Sequence, residues 1–244
     1  MCNLYRARTT QEELRTSTRA MVDGLGNLEP VIDVYPDRLG PIVRNNGGQR
    51  EMVHVRWGLP TSRQALFEAA TKRADKLRAK GKDVDFDALL RMEPDRGTTN
   101  VRRTDSKHWT RWLGVEHRCV VPFTRFAEPD PNWGEGTPNA WFALDETEPL
   151  AFFAGIWVPQ WESVRKIKDG LQTIDLYGFL TTDPNNIVKP IHWKAMPVIL
   201  RKGEEVETWL TADWPEARAL QRPLPDDELV IVQRGPVTPS GGLL

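Results

Sequence analysis

Cysteine is scarce in this sequence, which contains two, Cys2 and Cys119, among 244 residues. Two cysteines cannot form the network of disulfides that stabilises small secreted domains. They also supply too few thiolates to complete a four-ligand zinc site on their own. We therefore expect neither a disulfide-based fold nor a bound metal ion or other cofactor.

Long apolar runs are also missing. No stretch approaches the roughly 20 consecutive apolar residues that a membrane-spanning helix requires. The first residues, MCNLYRARTTQEEL, carry charges throughout and lack the apolar segment of a secretory signal peptide. These two absences predict a protein of the cytoplasm or nucleoid without a membrane partner.

An excess of charge of one sign is missing as well. The 33 Lys and Arg residues balance 34 Asp and Glu residues to a formal net charge of −1, so net charge does not indicate a nucleic-acid partner. Basic side chains do cluster between residues 96 and 125, as expected either for a local basic face or for an ordinary solvated surface. Of the ten tryptophans, we expect most in the core and one or two as stacking platforms for bases.

Most of the predicted secondary structure is extended. Runs rich in β-forming residues, separated by turn residues, predict strands over 31–35, 41–43, 52–58, 119–123, 140–144, 151–158, 173–182, 196–200 and 229–232. No internal repeat and no clean domain boundary interrupts them. The sequence therefore predicts an α+β fold in a single, strand-dominated domain.

Helices are predicted as excursions from these strands. A run rich in Ala, Leu, Lys and Glu begins after Ser62 and ends before Gly81. A shorter helix is expected soon after it, so that residues 62–92 form a helical excursion. Further short helices are predicted over 104–112, 204–210 and 214–220.

Cys2 directly follows the initiator methionine. Cysteine is small enough for methionine aminopeptidase to remove Met1, which leaves one residue with an α-amine and a thiol of ordinary pKa about 7.7–8.0 and about 8.5. Such a residue condenses with an aldehyde through its amine and then closes a five-membered thiazolidine through its thiol. An arbitrary residue at position 2 accounts for the sequence alone equally well.

Three other stretches contain candidate functional residues. Asn100 precedes Arg102 and Arg103, which suits recognition of an anion or a carbonyl group, or simply a helix N-terminus with surface arginines. Glu128 ends an apolar strand, where burial would raise its pKa for acid–base chemistry, unless the side chain is exposed. His192 lies between a proline-tethered loop and a core strand, as a proton shuttle or as a structural histidine.

Taken in chain order, these segments resemble the SOS-response-associated peptidase (SRAP) family, whose members crosslink covalently to abasic sites in single-stranded DNA. The resemblance covers most of residues 1–210. Its motifs are Met1-Cys2-Asn3-Leu4-Tyr5, Trp57-Gly58, Asn100-Val101-Arg102-Arg103-Thr104, Arg118-Cys119-Val120-Val121-Pro122 through Glu128, and Thr181 to Leu200. It implies one domain over 1–235, with a curved, mostly antiparallel sheet and a barrel-like core flanked by helices, followed by a flexible tail over 236–244.

The resemblance implies catalytic roles for four residues. Cys2 is the nucleophile and covalent anchor, and Asn100 positions its amine and the sugar. Glu128 assists proton transfer, and His192 helps to open the deoxyribose ring to its aldehyde. The expected activity is an abasic-site sensor that forms a Cys2 thiazolidine, shields the lesion and has possible lyase chemistry when only the Schiff base forms.

The resemblance also implies a DNA interface on a monomer that needs no cofactor. Arg102 contacts phosphate, Arg103 supports it, and Trp57 lines the DNA channel. Asn3-Leu4 replaces the Gly-Arg of the family, so the lost arginine contact is expected from Arg6. The family's glutamate after Arg102 is missing too.

Two other functions remain open for the same residues. A cysteine peptidase that cleaves its own N-terminus would use Cys2 as nucleophile and Glu128 or His192 as base. A non-catalytic module that binds single-stranded DNA would leave Cys2 without a chemical role.

Overall fold

The structure, a computed structural model, describes residues 2–132 and 138–235. The tail expected over 236–244 lies outside the described residues. The strands are β1 (Leu4–Arg8), β2 (Val22–Gly24), β3 (Val31–Val34), β4 (Leu39–Asn46), β5 (Gln49–Trp57), β6 (Asn100–Val101), β7 (Arg118–Phe123), β8 (Arg125–Pro129), β9 (Asn139–Ala143), β10 (Ala151–Val164), β11 (Leu171–Thr182), β12 (Met196–Pro197), β13 (Ile199–Leu200) and β14 (Val230–Arg234). The α-helices are α1 (Gln11–Thr18), α2 (Arg63–Arg78), α3 (Phe86–Arg91), α4 (Glu204–Thr211) and α5 (Trp214–Arg218).

Five strands close into a barrel. β11, β10, β7, β4 and β5 are neighbours in that order, and each of these pairs is antiparallel. A parallel pairing between β5 and β11, with Trp57 opposite Tyr177, completes the ring. Closure pairs the outer strands with each other and so removes two exposed sheet edges. The strand-rich, mostly antiparallel fold with a barrel-like core is therefore confirmed.

A second sheet brings the N-terminal segment to the barrel. Its strand order is β14-β9-β8-β1-β3, and each pairing is antiparallel. β1 lies between β8 and β3, with Leu4 opposite Ala127. The first residues of the chain are thus held by backbone hydrogen bonds beside the strand that carries Glu128.

β10 explains why one segment of the sequence is continuously apolar. Side chains alternate between the faces of a strand, and here both faces are buried. Phe152 and Ile156 belong to a core cluster that contains Trp209 of α4, whereas Phe153 belongs to a second cluster inside the barrel. The Trp209 indole also donates hydrogen bonds to two strand carbonyls, which fixes α4 against the barrel.

The interior of the barrel is aromatic. The Tyr5 ring packs edge-on against Trp57, with ring centroids 5.2 Å apart, and the hydroxyls of Tyr5 and Tyr177 share a hydrogen bond. A Cβ atom at Gly40 would lie 2.3 Å from the Tyr177 hydroxyl and 2.7 Å from the Tyr5 hydroxyl. Glycine is therefore required at position 40 for these two phenols to meet.

Most predicted helices are present, and one is not. The helices expected within 62–92 are α2 and α3, and the Ser62 hydroxyl caps the first of them. The helix predicted over 104–112 is wrong, because only Thr110–Trp112 is helical and it forms a 3-10 turn. That turn places Trp109 and Trp112, three residues apart, in the same core cluster. None of the helices in the described ranges is long and apolar enough to cross a membrane.

Candidate functional site

Cys2 lies in a buried position just before β1. Cys2 is 1% exposed and belongs to the same core cluster as Tyr5 and Trp57. The thiol donates to the carbonyl oxygen of Leu4 over 3.4 Å. Burial raises the pKa of the Cys2 thiol well above its ordinary value, and the nearby Glu128 carboxylate raises it further. The thiol is therefore protonated at neutral pH.

Asn100 connects Cys2 to the barrel. Its strand, β6, pairs in parallel with β11, with Asn100 opposite Phe179. Its side-chain Nδ2 donates to the carbonyl oxygen of Cys2 over 3.0 Å and to the Thr99 hydroxyl over 2.7 Å. A carbonyl oxygen only accepts, so this contact fixes which end of the amide faces Cys2. The amide oxygen of Asn100 is buried and has no hydrogen-bond partner within the described ranges.

Glu128 is an entirely buried carboxyl group on β8. It follows Phe126 by two residues, so both side chains leave the strand on the same, core-facing side. Burial raises the pKa of Glu128 to about 7. The group is thus divided between acid and carboxylate at neutral pH, which is the condition for a proton donor and acceptor.

His192 lies against Glu128, with its Nδ1 4.0 Å from the Oε1 of the carboxyl group. Nδ1 is also 2.7 Å from the carbonyl oxygen of Ala195. Because that oxygen only accepts, Nδ1 carries a proton and Nε2 is the basic nitrogen of the neutral ring. Burial lowers the pKa of His192, which favours this neutral form. The pair therefore combines a weak acid with a neutral base.

The loop between β11 and β12 holds His192 in place. Asn185 donates to the carbonyl oxygen of Leu224 and accepts from the Val188 amide. The His192 amide in turn donates to the Val188 carbonyl over 2.8 Å. Val188 and Ile191 are buried in the core. The turn residues noted in the sequence thus build a fixed support for the histidine.

Gln221 is a residue that the sequence motifs do not indicate. Its Nε2 donates to the carbonyl oxygens of Arg102 over 2.9 Å and Thr181 over 3.0 Å. Its Oε1 accepts from the Thr104 hydroxyl over 3.0 Å. Gln221 therefore ties the residue after β6 to the end of β11, two residues from Asn100. The only sequence signal for it is a polar side chain three residues after the end of a short helix, α5.

Two of the predicted DNA-contacting arginines, Arg102 and Arg103, lie at the protein surface. The Arg102 side chain is 41% exposed and forms an ion pair with Asp183. Arg103 is more exposed and lies 3.7 Å from the Asp105 carboxylate. Both line an open cavity that also contains Arg218. This cavity begins where β6 ends, so the two arginines lie beside the candidate site.

Arg6 and Trp57 are both engaged in contacts within the protein. Arg6 donates two hydrogen bonds of 2.7 Å to the carboxylate of Asp33 on the neighbouring strand, so its guanidinium is engaged in a bidentate pair. Trp57 is fully buried and donates from its indole to the Thr99 carbonyl. An indole without exposed surface cannot line a DNA channel, and Trp57 instead supports the strand segment that carries Asn100.

Neither cysteine forms a disulfide, and Cys119 is a buried core residue. Within the described ranges, no group of three or more His, Cys, Asp or Glu side chains is placed to hold a metal ion. The site brings together the thiol of Cys2, the carboxyl group of Glu128 and the imidazole of His192.

A comparison with family models gives one family for this chain. The model of the family described as SOS response associated peptidase (SRAP) matches residues 1–236. A comparison with curated proteins gives no match.

Solved structures share the fold. A protein of Bordetella bronchiseptica has 24% sequence identity and a TM-score of 0.62, over 94% of this chain and 97% of that one. A protein of Bacteroides thetaiotaomicron has 19% identity and a TM-score of 0.60, over 93% and 90% of the two chains. A phage-related protein of Bordetella bronchiseptica has 15% identity and a TM-score of 0.56, over 94% and 92%. At these identities the likeness extends to the fold alone.

Proposed function

The chain belongs to the SOS response associated peptidase family, and from this membership and the surroundings of Cys2 we propose that it crosslinks to abasic sites in single-stranded DNA. Removal of Met1 makes Cys2 the N-terminal residue, and its amine and thiol together capture the aldehyde of the lesion. The adduct shields the lesion from cleavage. The protein acts without a cofactor, and its partner is the damaged strand.

The observation that supports this proposal most strongly is the convergence of three separate segments on Cys2. The Asn100 side chain donates a hydrogen bond to the carbonyl oxygen of Cys2, and the negative charge of the nearby Glu128 carboxylate raises the pKa of the Cys2 thiol. His192 lies 4.0 Å from that carboxyl group. A purely structural cysteine would not require a buried, half-protonated acid beside it.

The proposed reaction needs no oxidant. An abasic sugar exchanges between a closed hemiacetal and an open aldehyde, and this opening moves a proton to the ring oxygen and removes one from the C1′ hydroxyl. Glu128 and His192 are the proposed acid and base for this step. The neutral amine then adds to C1′, and loss of one water gives an imine.

The thiol completes the adduct. Its sulfur bonds to C1′ of the imine, and the S–H proton goes to the nitrogen, which closes the thiazolidine ring. Because the thiol is protonated at neutral pH, the amine is the better first nucleophile and the thiol acts second. Ring closure removes the imine that would otherwise promote β-elimination and strand cleavage.

Self-cleavage is the second candidate function, since an acid–base pair lies beside Cys2 and the family is named for peptidase activity. A thiolate nucleophile is disfavoured where burial raises the thiol pKa. Intact-mass measurement separates the two routes to Met1 removal. Protein made without methionine aminopeptidase activity retains Met1 if housekeeping processing is responsible, and loses it if the protein cleaves itself.

The proposal is tested with a single-stranded oligonucleotide that carries one abasic site. We expect the wild-type protein to give a covalent band on a denaturing gel, and Cys2→Ala to give none. Cys2→Ser retains an amine, so it should form an imine that borohydride traps but no adduct that survives heating in detergent. A heat-stable Cys2→Ser adduct would contradict the thiazolidine, and the absence of any wild-type adduct would contradict the function.

A matched control uses the other cysteine. Cys119→Ala should retain crosslinking, because Cys119 is a buried core residue on β7. Binding before crosslinking should weaken as salt rises, because phosphate contacts release counterions.

A further inference from the structure

Trp193 exposes a large apolar ring immediately beside the candidate site. Trp193 is 69% exposed, whereas every other tryptophan in the described ranges is buried or half-buried. Its chain neighbour is His192, which lies against Glu128. The family motifs quoted above do not assign a role to position 193.

The exposed indole is carried by a fixed segment of chain. Ile191 before it and Ala195 after it are both buried. The Asn132 side chain donates to the carbonyl oxygen of Pro190 over 3.0 Å, which attaches the loop to the segment that follows β8. A ring presented on a rigid support loses little conformational freedom when a flat partner covers it.

The charged residues on the loop that carries Trp193 indicate what that partner is. Lys194 places its ammonium group 5.2 Å from the centre of the indole ring, and Lys189 is exposed on the same loop. No acidic residue occurs between Asn186 and Met196. An exposed aromatic face beside basic side chains is the combination that binds single-stranded nucleic acid, through base stacking and phosphate contacts.

We propose that Trp193 is a stacking platform for an unpaired base next to the lesion, with Lys194 directed to the adjoining phosphate. This inference rests on the proposed function and adds to it. The platform replaces the buried Trp57 as the aromatic contact to DNA. By holding the neighbouring base at the rim, it sets the position of the baseless sugar relative to His192.

Binding can be measured separately from crosslinking with a tetrahydrofuran spacer, which imitates the abasic sugar but cannot open to an aldehyde. In fluorescence anisotropy with a spacer-containing single strand, Trp193→Ala should raise the Kd roughly 5- to 150-fold, which corresponds to the stacking of one base on an aromatic ring. Trp193→Tyr should restore most of the affinity. Phe67→Ala, which removes an exposed aromatic ring from α2, should leave the Kd unchanged.

A second substitution on the DNA side tests the stacking itself. The base on the 5′ or the 3′ side of the lesion is replaced by another spacer, and each strand is titrated with wild type and Trp193→Ala. For one of the two strands, the Kd of the wild type should rise to about the value that Trp193→Ala shows with the neighbouring base present. The Kd of Trp193→Ala should not rise further on that strand. Independent losses for both strands would overturn the inference.

The possible outcomes separate this inference from the proposed function. A wild type that crosslinks natural abasic DNA, with an equal Kd for Trp193→Ala, overturns the platform alone. A wild type that never crosslinks overturns the function, whatever the Kd values are. Loss of self-association in Trp193→Ala, seen by sedimentation with no change in Kd for DNA, would assign the ring to a protein contact and also overturn the platform.

Discussion

The side-chain amide of Asn100 donates a hydrogen bond to the backbone carbonyl of Cys2 over 3.0 Å, across 98 residues of sequence. The bond joins the start of the chain to β6, which is itself fixed to the barrel through β11. It holds the backbone carbonyl of Cys2, whereas the thiol has its own bond to the Leu4 carbonyl. The Asn100 amide thus helps to fix the position of the nucleophile without engaging its sulfur.

Asn100→Asp tests this dependence. A carboxylate has nearly the same shape but cannot donate, so the Cys2 carbonyl loses its partner and faces a negative charge. We expect the crosslinking rate at saturating DNA to fall at least about tenfold, and stability to fall by about 1–3 kcal/mol, the cost of an unsatisfied buried group. Single-turnover rates and urea unfolding measure the two effects. Equal rates for the variant and the wild type would show that the bond does not position Cys2.

Gln221→Met tests whether the clamp at the end of β6 supports the site. Methionine keeps the length of the side chain but removes the bonds to Arg102, Thr181 and Thr104. We expect a slower crosslinking rate at saturating DNA, because Asn100 is carried by the strand that loosens. Gln64→Met is the matched control, since the Gln64 amide bonds only its helix neighbour Glu68 in the described contacts. A change in DNA affinity without a change in rate would contradict the positioning role.

Gly40→Ala tests the packing of the barrel interior. Its Cβ would lie 2.3 Å from the Tyr177 hydroxyl, so we expect destabilisation by about 1–3 kcal/mol from overpacking. Tyr177→Phe removes that hydroxyl and should recover part of the loss in the double variant, although Tyr5 then loses its partner. Chemical denaturation of the four proteins gives the coupling between the two positions. Strictly additive effects would mean that the alanine does not contact the phenol.

Local patterns predicted a large part of the fold. Ser62 and the Ala-rich run after it define α2 because the cap and the propensities agree. The helix over 104–112 was wrong because Trp109 and Trp112 are drawn into the core, and tertiary packing overrides local preference. β1 and α1 were not predicted, since the polar segment after Cys2 shows no clear periodicity in the sequence. β1 is defined by its pairing with the distant strands β3 and β8.

The site was predictable only through the order of its motifs. Cys2, Asn100, Glu128 and His192 were each ambiguous alone, and their convergence depends on pairings between distant strands. Trp57 was expected to line a DNA channel because nothing in the sequence of its motif marks the ring as buried. Gln221 and Trp193 were not singled out, because a single polar or aromatic residue acquires meaning only from what surrounds it in space.

Glu128→Gln tests whether stability and crosslinking rate depend on pH through Glu128. A carboxyl group at the protein surface would not give this dependence. Burial raises the pKa of Glu128 to about 7 from an ordinary value of 4.5. Between these values the folded protein binds more protons than the unfolded chain, so this group's contribution to stability is complete below pH 4.5 and is lost as pH rises through about 7. Glutamine does not titrate. The free energy of unfolding of the wild type relative to Glu128→Gln should therefore fall by about 3 kcal/mol between pH 4.5 and 8, whereas His192, whose pKa is lowered, acts in the opposite direction in both proteins.

The Glu128 carboxyl group also governs the crosslinking rate. If protonated Glu128 donates to the opening sugar, wild-type crosslinking should decline above pH 7 once the amine is neutral, and Glu128→Gln should react more slowly and without that decline. Urea unfolding and single-turnover crosslinking across this pH range measure both effects, and a wild-type rate that continues to rise from pH 7 to 9 would exclude Glu128 as the acid.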